Sequence, residues 1–310
     1  MPANVTLRHK PQRVYKSHFT DSTKWNEYEP RPGDIVISTP LKTGTTWAQR
    51  ITAALIFQSD KLPGPLMTVS PWLDCTFAPL PLLLANLEFQ EHRRFIKTHL
   101  PMDALPIYDE VSYLVVGRDL RDVAISTHNH TRGVQETDPG PSDPATGDDV
   151  HTPELPSVPA DVREYWKEYF TRSAFPWESD GWPYNSPSHH LASWWEHRHE
   201  PNILLLHYQD MLNDLDGQMR RVSAFLDIPV DEAVWPDLVR ACTFKEMKSR
   251  KDELWTGALA NSLTSFEFFH KGSSGQWQDV LSKEETAVYE KAVAHLPADL
   301  RHWLENGGPQ

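Results

Sequence analysis

The chain has 310 residues, of which 43 are acidic and 30 are basic, so its formal net charge is −13. A chain this acidic is not expected to be a general nucleic-acid-binding protein, because such proteins need a basic face to displace phosphate counterions. Its two distant cysteines exclude a disulfide framework, and with no apolar run long enough to cross a bilayer and no apolar signal core, we expect a cytoplasmic protein.

Strands and helices are predicted to alternate along most of the chain. The first thirty residues are polar and unpatterned, and we expect them to form a loosely packed arm. Beyond them, β-branched and apolar runs predict strands at 34–39, 94–98, 112–117 and from about 202, and helices at 47–58, from 119 to about 130, and at 209–226. This order predicts a single α/β domain over residues 1–310, a P-loop-like three-layer fold with a central parallel sheet flanked by helices.

The middle of the chain interrupts this pattern. Between Gly133 and Pro159, a composition rich in Pro, Asp, Gly, Ser and Thr predicts a long loop or a partly disordered insertion. The aromatic residues from Tyr165 to Trp195 could form a satellite hydrophobic cluster or the wall of an apolar cleft, and both interpretations stay open. The histidines over 189–199 fit no metal-binding motif, and we interpret them as exposed on a helix beside a buried pair of tryptophans.

The segment Pro40–Trp47 (PLKTGTTW) joins the first predicted strand to the first predicted helix. The backbone N–H groups of such a loop, together with the helix N-terminus, form an anion site. Lys42 adds a positive charge, and the hydroxyls of Thr43, Thr45 and Thr46 add donors. The loop is not a Walker A motif, because the GxxxxGK[ST] order is absent. An ordinary strand–helix turn is the alternative.

Three further segments carry residues that suit an anionic ligand. Arg118 and Ser126 lie at the start and in the second turn of a predicted helix, where both could reach a phosphate. His99 follows a predicted strand at its carboxyl end, the edge at which open α/β sheets bind their ligands. Residues 270–277 (HKGSSGQW) form a basic, glycine-rich loop. Each segment alone has a simpler structural interpretation, and their combination favours a functional one.

Together these segments resemble the cytosolic sulfotransferase family, whose members transfer a sulfuryl group from 3′-phosphoadenosine 5′-phosphosulfate (PAPS) to an acceptor. The family motifs PKSGTTW, K-T-H-L-P, R-x-x-x-D-V-A-x-S, F-K-E-M and R-K-G-x-x-G-x-W are similar, in order, to residues 40–47, 97–101, 118–126, 244–247 and 270–277. Several motifs in the right order are more specific than any one of them. Stretches such as LPGPLMTVSPWLD and HRRFIKTHLP look most similar to the actinobacterial glycolipid sulfotransferase branch.

The resemblance implies the roles of the site residues. His99 is expected to be the general base for an acceptor hydroxyl, Lys42 to stabilise the departing 5′-phosphate, and Lys97 to donate to the sulfonate oxygens. The adenine would stack between Trp47 and Phe244. The other residues expected to bind PAPS or its product 3′-phosphoadenosine 5′-phosphate (PAP), besides Lys42, are Thr43, Gly44, Thr45, Thr46, Arg118, Ser126, Tyr208, Thr243, His270, Lys271 and Gly272. No metal is expected.

Departures from the family pattern lead to further expectations. His270 stands where the family usually has arginine, which predicts weaker or pH-dependent binding of the 3′-phosphate. The segment after Trp277 lacks the family's dimerisation pattern, so we do not expect a dimer through it. Residues 133–187 are expected to form acceptor-side loops.

The nature of the acceptor, a hydroxyl-bearing small molecule or glycolipid, is left open by the sequence. Two other functions are also left open. One is a P-loop-like nucleotide kinase or hydrolase, which would require Mg²⁺. The other is an adenine-nucleotide-binding module without activity.

Overall fold

The computed structural model describes residues 5–137, 156–254 and 272–310, and its centre is a parallel sheet. The strands are β1 (Leu7–His9), β2 (Ile35–Ser38), β3 (Phe95–Thr98), β4 (Ile107–Tyr108), β5 (Ser112–Gly117) and β6 (Ile203–His207). Four of them pair in parallel in the order β3–β2–β5–β6, whereas β1 and β4 form a separate antiparallel pair. Every residue of β2 and β3 is buried, as expected for parallel strands covered on both faces.

Helices cover both faces of this sheet. They are α1 (Thr45–Phe57), α2 (Leu66–Val69), α3 (Leu80–Glu88), α4 (Leu120–Thr137), α5 (Val162–Thr171), α6 (Pro187–Trp195), α7 (Tyr208–Asn213), α8 (Leu215–Phe225), α9 (Trp235–Ala241), α10 (Phe244–Ser249), α11 (Lys251–Leu254), α12 (Lys283–Ala292) and α13 (Ala298–Asn306). Alternate strand residues enter two hydrophobic clusters, with Val36 in one and Ile37 in the other. The predicted α/β class with a central parallel sheet is therefore confirmed. None of the helices in the described ranges has the length and apolar character needed to span a bilayer.

Residues 5–30 do not form the loosely packed arm that the sequence predicts for the first thirty residues. Tyr15 and Trp25 are buried in the core. The Tyr28 hydroxyl donates to Asp34, at the start of β2, over 2.6 Å, and the same carboxylate is paired with the buried guanidinium of Arg94. The prediction was wrong because aromatic residues spaced along a polar segment give no periodic signal, although each one can fill a place in the core.

Two predicted helices have different bounds in the structure. The helix predicted over 209–226 is divided into α7 and α8 at Asp214, whose side chain accepts a hydrogen bond from the Gly217 N–H over 2.9 Å and so caps the second helix. Helix α4 runs past Gly133 to Thr137. Its last turns are held by tertiary contacts, including a bond of 2.9 Å from the Gln135 side chain to the Pro156 carbonyl.

The aromatic segment resolves into two parts. Helix α5 buries Tyr165, Trp166, Tyr169 and Phe170 in the hydrophobic cluster on one face of the sheet, which favours the core interpretation for these residues. Tyr184 is only half-buried and lies nearer the end of β3, as described below. Residues 138–155 of the predicted insertion lie outside the described residues.

Candidate active site

The predicted anion loop lies between β2 and α1, at the carboxyl edge of the sheet. Lys42 and Gly44 have positive φ angles of 67° and 119°, so the chain turns sharply before the helix begins. The first helical hydrogen bond runs from the Ala48 N–H to the Gly44 carbonyl over 3.0 Å. Because Gly44 provides no side-chain cap, the N–H groups of α1 that come before Ala48 are available to an anion.

The three threonine hydroxyls of this loop have different partners. Thr43 is buried and donates to the Pro40 carbonyl over 2.9 Å, and the Thr45 hydroxyl lies 2.6 Å from that of Thr39. The half-buried Thr46 makes no side-chain hydrogen bond within the described part of the chain. Of the three hydroxyls, that of Thr46 therefore suits an added ligand best, whereas the other two stabilise the turn.

Three cations meet at this loop. Burial, together with the charges of Arg118 and Lys97, lowers the pKa of Lys42 to about 7. Burial also lowers the pKa of Lys97, in β3, to about 8, although Cys75 and Asp74 oppose the shift. We call Lys42, Lys97 and Arg118 the cation cluster. Gathering these charges locally lets a protein of net charge −13 attract an anion.

Arg118 connects the anion loop to the late glycine-rich loop. Its guanidinium donates to the Lys42 carbonyl and to the Ser273 carbonyl, each over 3.1 Å, and lies 4.2 Å from the centre of the Tyr208 ring. Its buried Nε has no hydrogen-bond partner among the described residues. The Nε–H group is therefore an open donor in a cationic site. The two hydrogen bonds that the guanidinium makes to Lys42 and Ser273 fix its orientation.

The late loop is attached to α4 through a buried carboxylate. Asp122 accepts hydrogen bonds from the backbone N–H groups of Gly275 and Gln276 over 2.8 and 2.9 Å. A Cβ atom built on Gly272, where φ is +62°, would lie 2.5 Å from the Phe244 ring, so only glycine fits against that ring. His270 and Lys271, predicted to bind the 3′-phosphate, lie outside the described residues.

The residues predicted to bind the adenine border the same region. Trp47 donates from its indole to the Cys242 carbonyl over 2.8 Å and meets Tyr208 edge-on, with ring centres 5.4 Å apart. Phe244 begins α10 and is half-buried, and Thr243 before it caps that helix at the Glu246 N–H.

The Thr243 hydroxyl also donates to the Arg240 carbonyl in α9 over 2.8 Å, so it is engaged within the protein both as a donor and as an acceptor. Ser126, which the sequence also predicts to contact a phosphate, is half-buried in the second turn of α4.

His99 lies just past the end of β3 and is 7 % exposed. Its Nδ1 is 2.8 Å from the Thr39 carbonyl, which can only accept, so Nδ1 carries the proton and Nε2 is left as an acceptor. Burial, together with Lys97, His190 and Lys42, lowers the pKa of His99 well below its usual value. The side chain is therefore a neutral imidazole with an unprotonated Nε2, close to the amino groups of Lys42 and Lys97.

Residues that the sequence reasoning missed hold this imidazole and its strand. Trp72 meets His99 edge-on at 4.8 Å, and the Lys97 ammonium lies 4.4 Å from the centre of the Trp72 ring. The buried carboxylate of Asp74 accepts from the Trp72 indole over 2.9 Å. The stretch SPWLD contributes to the family resemblance, but no pattern in it predicts that it lies beside β3.

His190 is also missed, and its place corrects the interpretation of the histidine-rich stretch. Trp194 and Trp195 are buried as predicted, but His190 is buried too, with Nε2 3.1 Å from the Ser38 hydroxyl. Ser38 in turn donates to the Leu100 carbonyl over 2.8 Å. Because this hydroxyl proton is already used, His190 is the donor to Ser38, and the bond links α6 to the segment that carries His99.

Comparison with known proteins identifies the family of this chain. Residues 32–301 match the family described as the sulfotransferase domain. A glycolipid sulfotransferase of Mycobacterium bovis is 35% identical over 309 residues, which cover 95% of this chain and 94% of that protein.

Solved structures with the same fold include mouse sulfotransferase SULT7A1 complexed with PAP, with a TM-score of 0.65, 19% identity and 96% of each chain covered. Retinol dehydratase in complex with androsterone and PAP also has a TM-score of 0.65, with 22% identity over 88% of this chain and 82% of that one. The resemblance seen in the sequence is thereby confirmed, and the kinase or hydrolase alternative is set aside. The chain belongs to the sulfotransferase family, and it is an enzyme that transfers a sulfuryl group from PAPS.

Proposed function

We propose that this sulfotransferase acts on a hydroxyl group of a small-molecule or glycolipid acceptor, with His99 as its general base. The observation that carries the proposal is the bond of 2.8 Å from Nδ1 of His99 to the Thr39 carbonyl. This bond selects the tautomer whose Nε2 can take a proton, and the low pKa of the imidazole keeps that nitrogen free of one at neutral pH.

The donor set around the anion loop fits PAPS. The nucleotide carries several negative charges, and the cation cluster contains two lysines whose ammonium forms are penalised by burial until an anion is added. The Nε of Arg118, without a partner among the described residues, gives one donor, and the N-terminus of α1 gives others. When bound, PAPS supplies the sulfuryl group and the leaving phosphate.

The chain's own residues then have distinct tasks. Nε2 of His99 accepts the acceptor's hydroxyl proton as the oxygen attacks. Lys42 neutralises charge that develops on the departing 5′-phosphate, and Lys97 donates to the sulfonate oxygens. His190 and Trp72 keep His99 in position.

The loop that begins at Gly272 would bind the nucleotide together with His270 and Lys271. The residues predicted to bind the adenine would complete this part of the site. The acceptor class rests on the glycolipid sulfotransferase relative, and the cytoplasmic location stays a prediction.

Transfer from labelled PAPS, screened over glycolipids, sterols and phenols, tests the proposal. We expect a labelled product and stoichiometric PAP with at least one hydroxyl acceptor, and PAP itself should bind and inhibit. The absence of both sulfuryl transfer and PAP binding would overturn the proposed function. Transfer confined to acceptors whose only nucleophile is an amine would refute the hydroxyl acceptor while leaving the donor assignment intact.

A further inference from the structure

A closed chain of contacts passes through His99, from its ring to its backbone carbonyl. Trp72, which meets His99 edge-on, also contacts Phe77, with ring centres 5.3 Å apart. Next to Phe77, the Thr76 N–H donates to the Phe19 carbonyl over 3.0 Å. This contact chain, which we call the aromatic rim, consists of His18, Phe19, Trp72, Thr76, Phe77, Tyr184 and Asn185.

The second half of the aromatic rim returns to His99. The Phe19 ring packs at a tilt on Tyr184, with centres 4.6 Å apart, and Asn185 donates from its side chain to the His99 carbonyl over 3.4 Å. The Tyr184 hydroxyl also lies 3.0 Å from that of Thr131 in α4. Apart from Trp72, the rim members are half-buried, so part of their surface stays accessible around the proposed base.

Two imidazoles adjoin this surface. The His18 ring packs at a tilt on that of Phe19, with ring centres 4.5 Å apart. Nε2 of His18 is buried and has no hydrogen-bond partner within the described residues, and burial lowers the pKa of this side chain. His130 precedes Thr131, whose hydroxyl lies 3.0 Å from that of Tyr184 in the rim, and burial together with Lys42, Lys97 and His99 lowers the pKa of His130 well below its usual value. A neutral imidazole both donates and accepts hydrogen bonds, so each can pair with a hydroxyl group.

We propose that His18 and His130 determine acceptor specificity by hydrogen bonding to hydroxyl groups next to the one that is sulfated. The acceptor is then an amphiphile with a polyhydroxylated headgroup such as a sugar. An acceptor with one hydroxyl would leave the buried Nε2 of His18 unpaired, which costs binding free energy. The inference rests on the proposed function, because it requires the acceptor to lie at His99.

The test compares two acceptors, octyl glucoside and 2-naphthol, which differ in the number of hydroxyls. The values of kcat/KM for both are measured with wild type, His18→Phe and His130→Phe, and PAP affinity shows whether each variant is folded. We expect each substitution to lower the glucoside-to-naphthol ratio of kcat/KM about tenfold, the effect of one lost hydrogen bond. His18→Asn, which keeps a hydrogen-bonding group, should restore part of the ratio.

His92→Phe is the matched control, because His92 packs against Phe57 and Phe95 outside the aromatic rim and its loss should leave the ratio unchanged. Equal losses on both acceptors in the His18 and His130 variants would overturn the inference while leaving the proposed function intact. A wild-type enzyme that transfers to neither these acceptors nor any other hydroxyl would refute the proposed function and the inference together.

Discussion

The cation cluster and a buried acidic pair, Glu178 and Asp180, both have shifted pKa values, and the protein treats them differently. Glu178 and Asp180 belong to the segment that leads to Asn185, the residue bonded to the His99 carbonyl. Burial and the nearby Asp180 and Asp103 raise the pKa of Glu178 to about 8, whereas burial lowers the pKa of Lys42 to about 7.

In both regions, loss of water and repulsion between like charges disfavour the charged form. The difference lies in what restores the balance. The carboxyl groups lie within the fold, where Ser188 donates to Asp180 over 2.7 Å and the Ser186 N–H donates to Glu178 over 3.0 Å, while one buried oxygen of each has no partner among the described residues. Taking up a proton removes their buried charge. The cation cluster instead adjoins a helix N-terminus and an orphan donor, which an anionic ligand can occupy. The cation cluster is thus distinguished from the acidic region by open N–H donors beside a helix N-terminus, and not by shifted pKa values or unpartnered buried atoms alone.

Removing the proposed base beside the cation cluster should have the largest effect. We expect His99→Ala to lower kcat by about 10²- to 10⁴-fold, because the acceptor proton loses its acceptor, while PAP affinity changes little. Initial rates with labelled PAPS and a PAP titration measure the two effects. The exposed His302→Ala is the control, and full activity in the His99 variant would remove it from the mechanism.

Lys42→Met should lower kcat about 10²- to 10³-fold by removing the charge at the leaving phosphate. It should also raise the pKa of His99, since Lys42 is one of the cations that lower it. The acid limb of the pH–rate profile is therefore expected to move to higher pH. An acid limb that stays in place would mean that the two side chains are not electrostatically coupled.

The late loop offers a smaller and more local test of the cationic region. Gly272→Ala introduces a Cβ 2.5 Å from the Phe244 ring, and we expect PAP affinity to fall about tenfold. Gly275→Ala is the matched control, because φ there is +79° but the nearest side-chain atom is 3.7 Å away. Equal losses in both variants would attribute the effect to backbone strain alone and not to the ring contact.

In the acidic region, we expect the substitution Glu178→Gln to change the stability of the fold. A carboxyl whose pKa rises on folding stabilises the protein only while it stays protonated, so this contribution is lost as pH increases from the unfolded value towards about 8. The amide cannot ionise. We expect the variant to gain on the order of 1 to 3 kcal/mol over wild type at pH 9 and little at pH 5, measured by chemical denaturation at both pH values. An equal gain at both pH values would contradict the raised pKa.

Sequence reasoning succeeded where a local pattern determines the structure. The β-branched run before Pro40 forms β2, the strand of six residues over 112–117 has its predicted bounds, and PLKTGTTW lies at the carboxyl edge of the sheet. His99 and Arg118 follow strands that neighbour β2, so the parallel order of the sheet brings them to the same loop.

The sequence did not reveal contacts between segments distant in the chain. His18 and Trp72 contribute to the surroundings of His99 only through tertiary packing, which has no periodic signature. Asp122 matched a family motif, but its bonds to the late loop depend on the approach of residues more than 150 positions away. The same limit explains the buried Tyr15 in the segment predicted to be loose.

Proton uptake on PAP binding tests most directly whether the cation cluster is completed by the nucleotide. Titration calorimetry at pH 8 in buffers of different ionisation enthalpy should show uptake of about one proton, with affinity falling by up to tenfold per pH unit, because PAP raises the pKa of Lys42 from about 7. Lys42→Met should lose most of this uptake, whereas His270→Arg should keep it. Binding without proton uptake in the wild type would contradict the account.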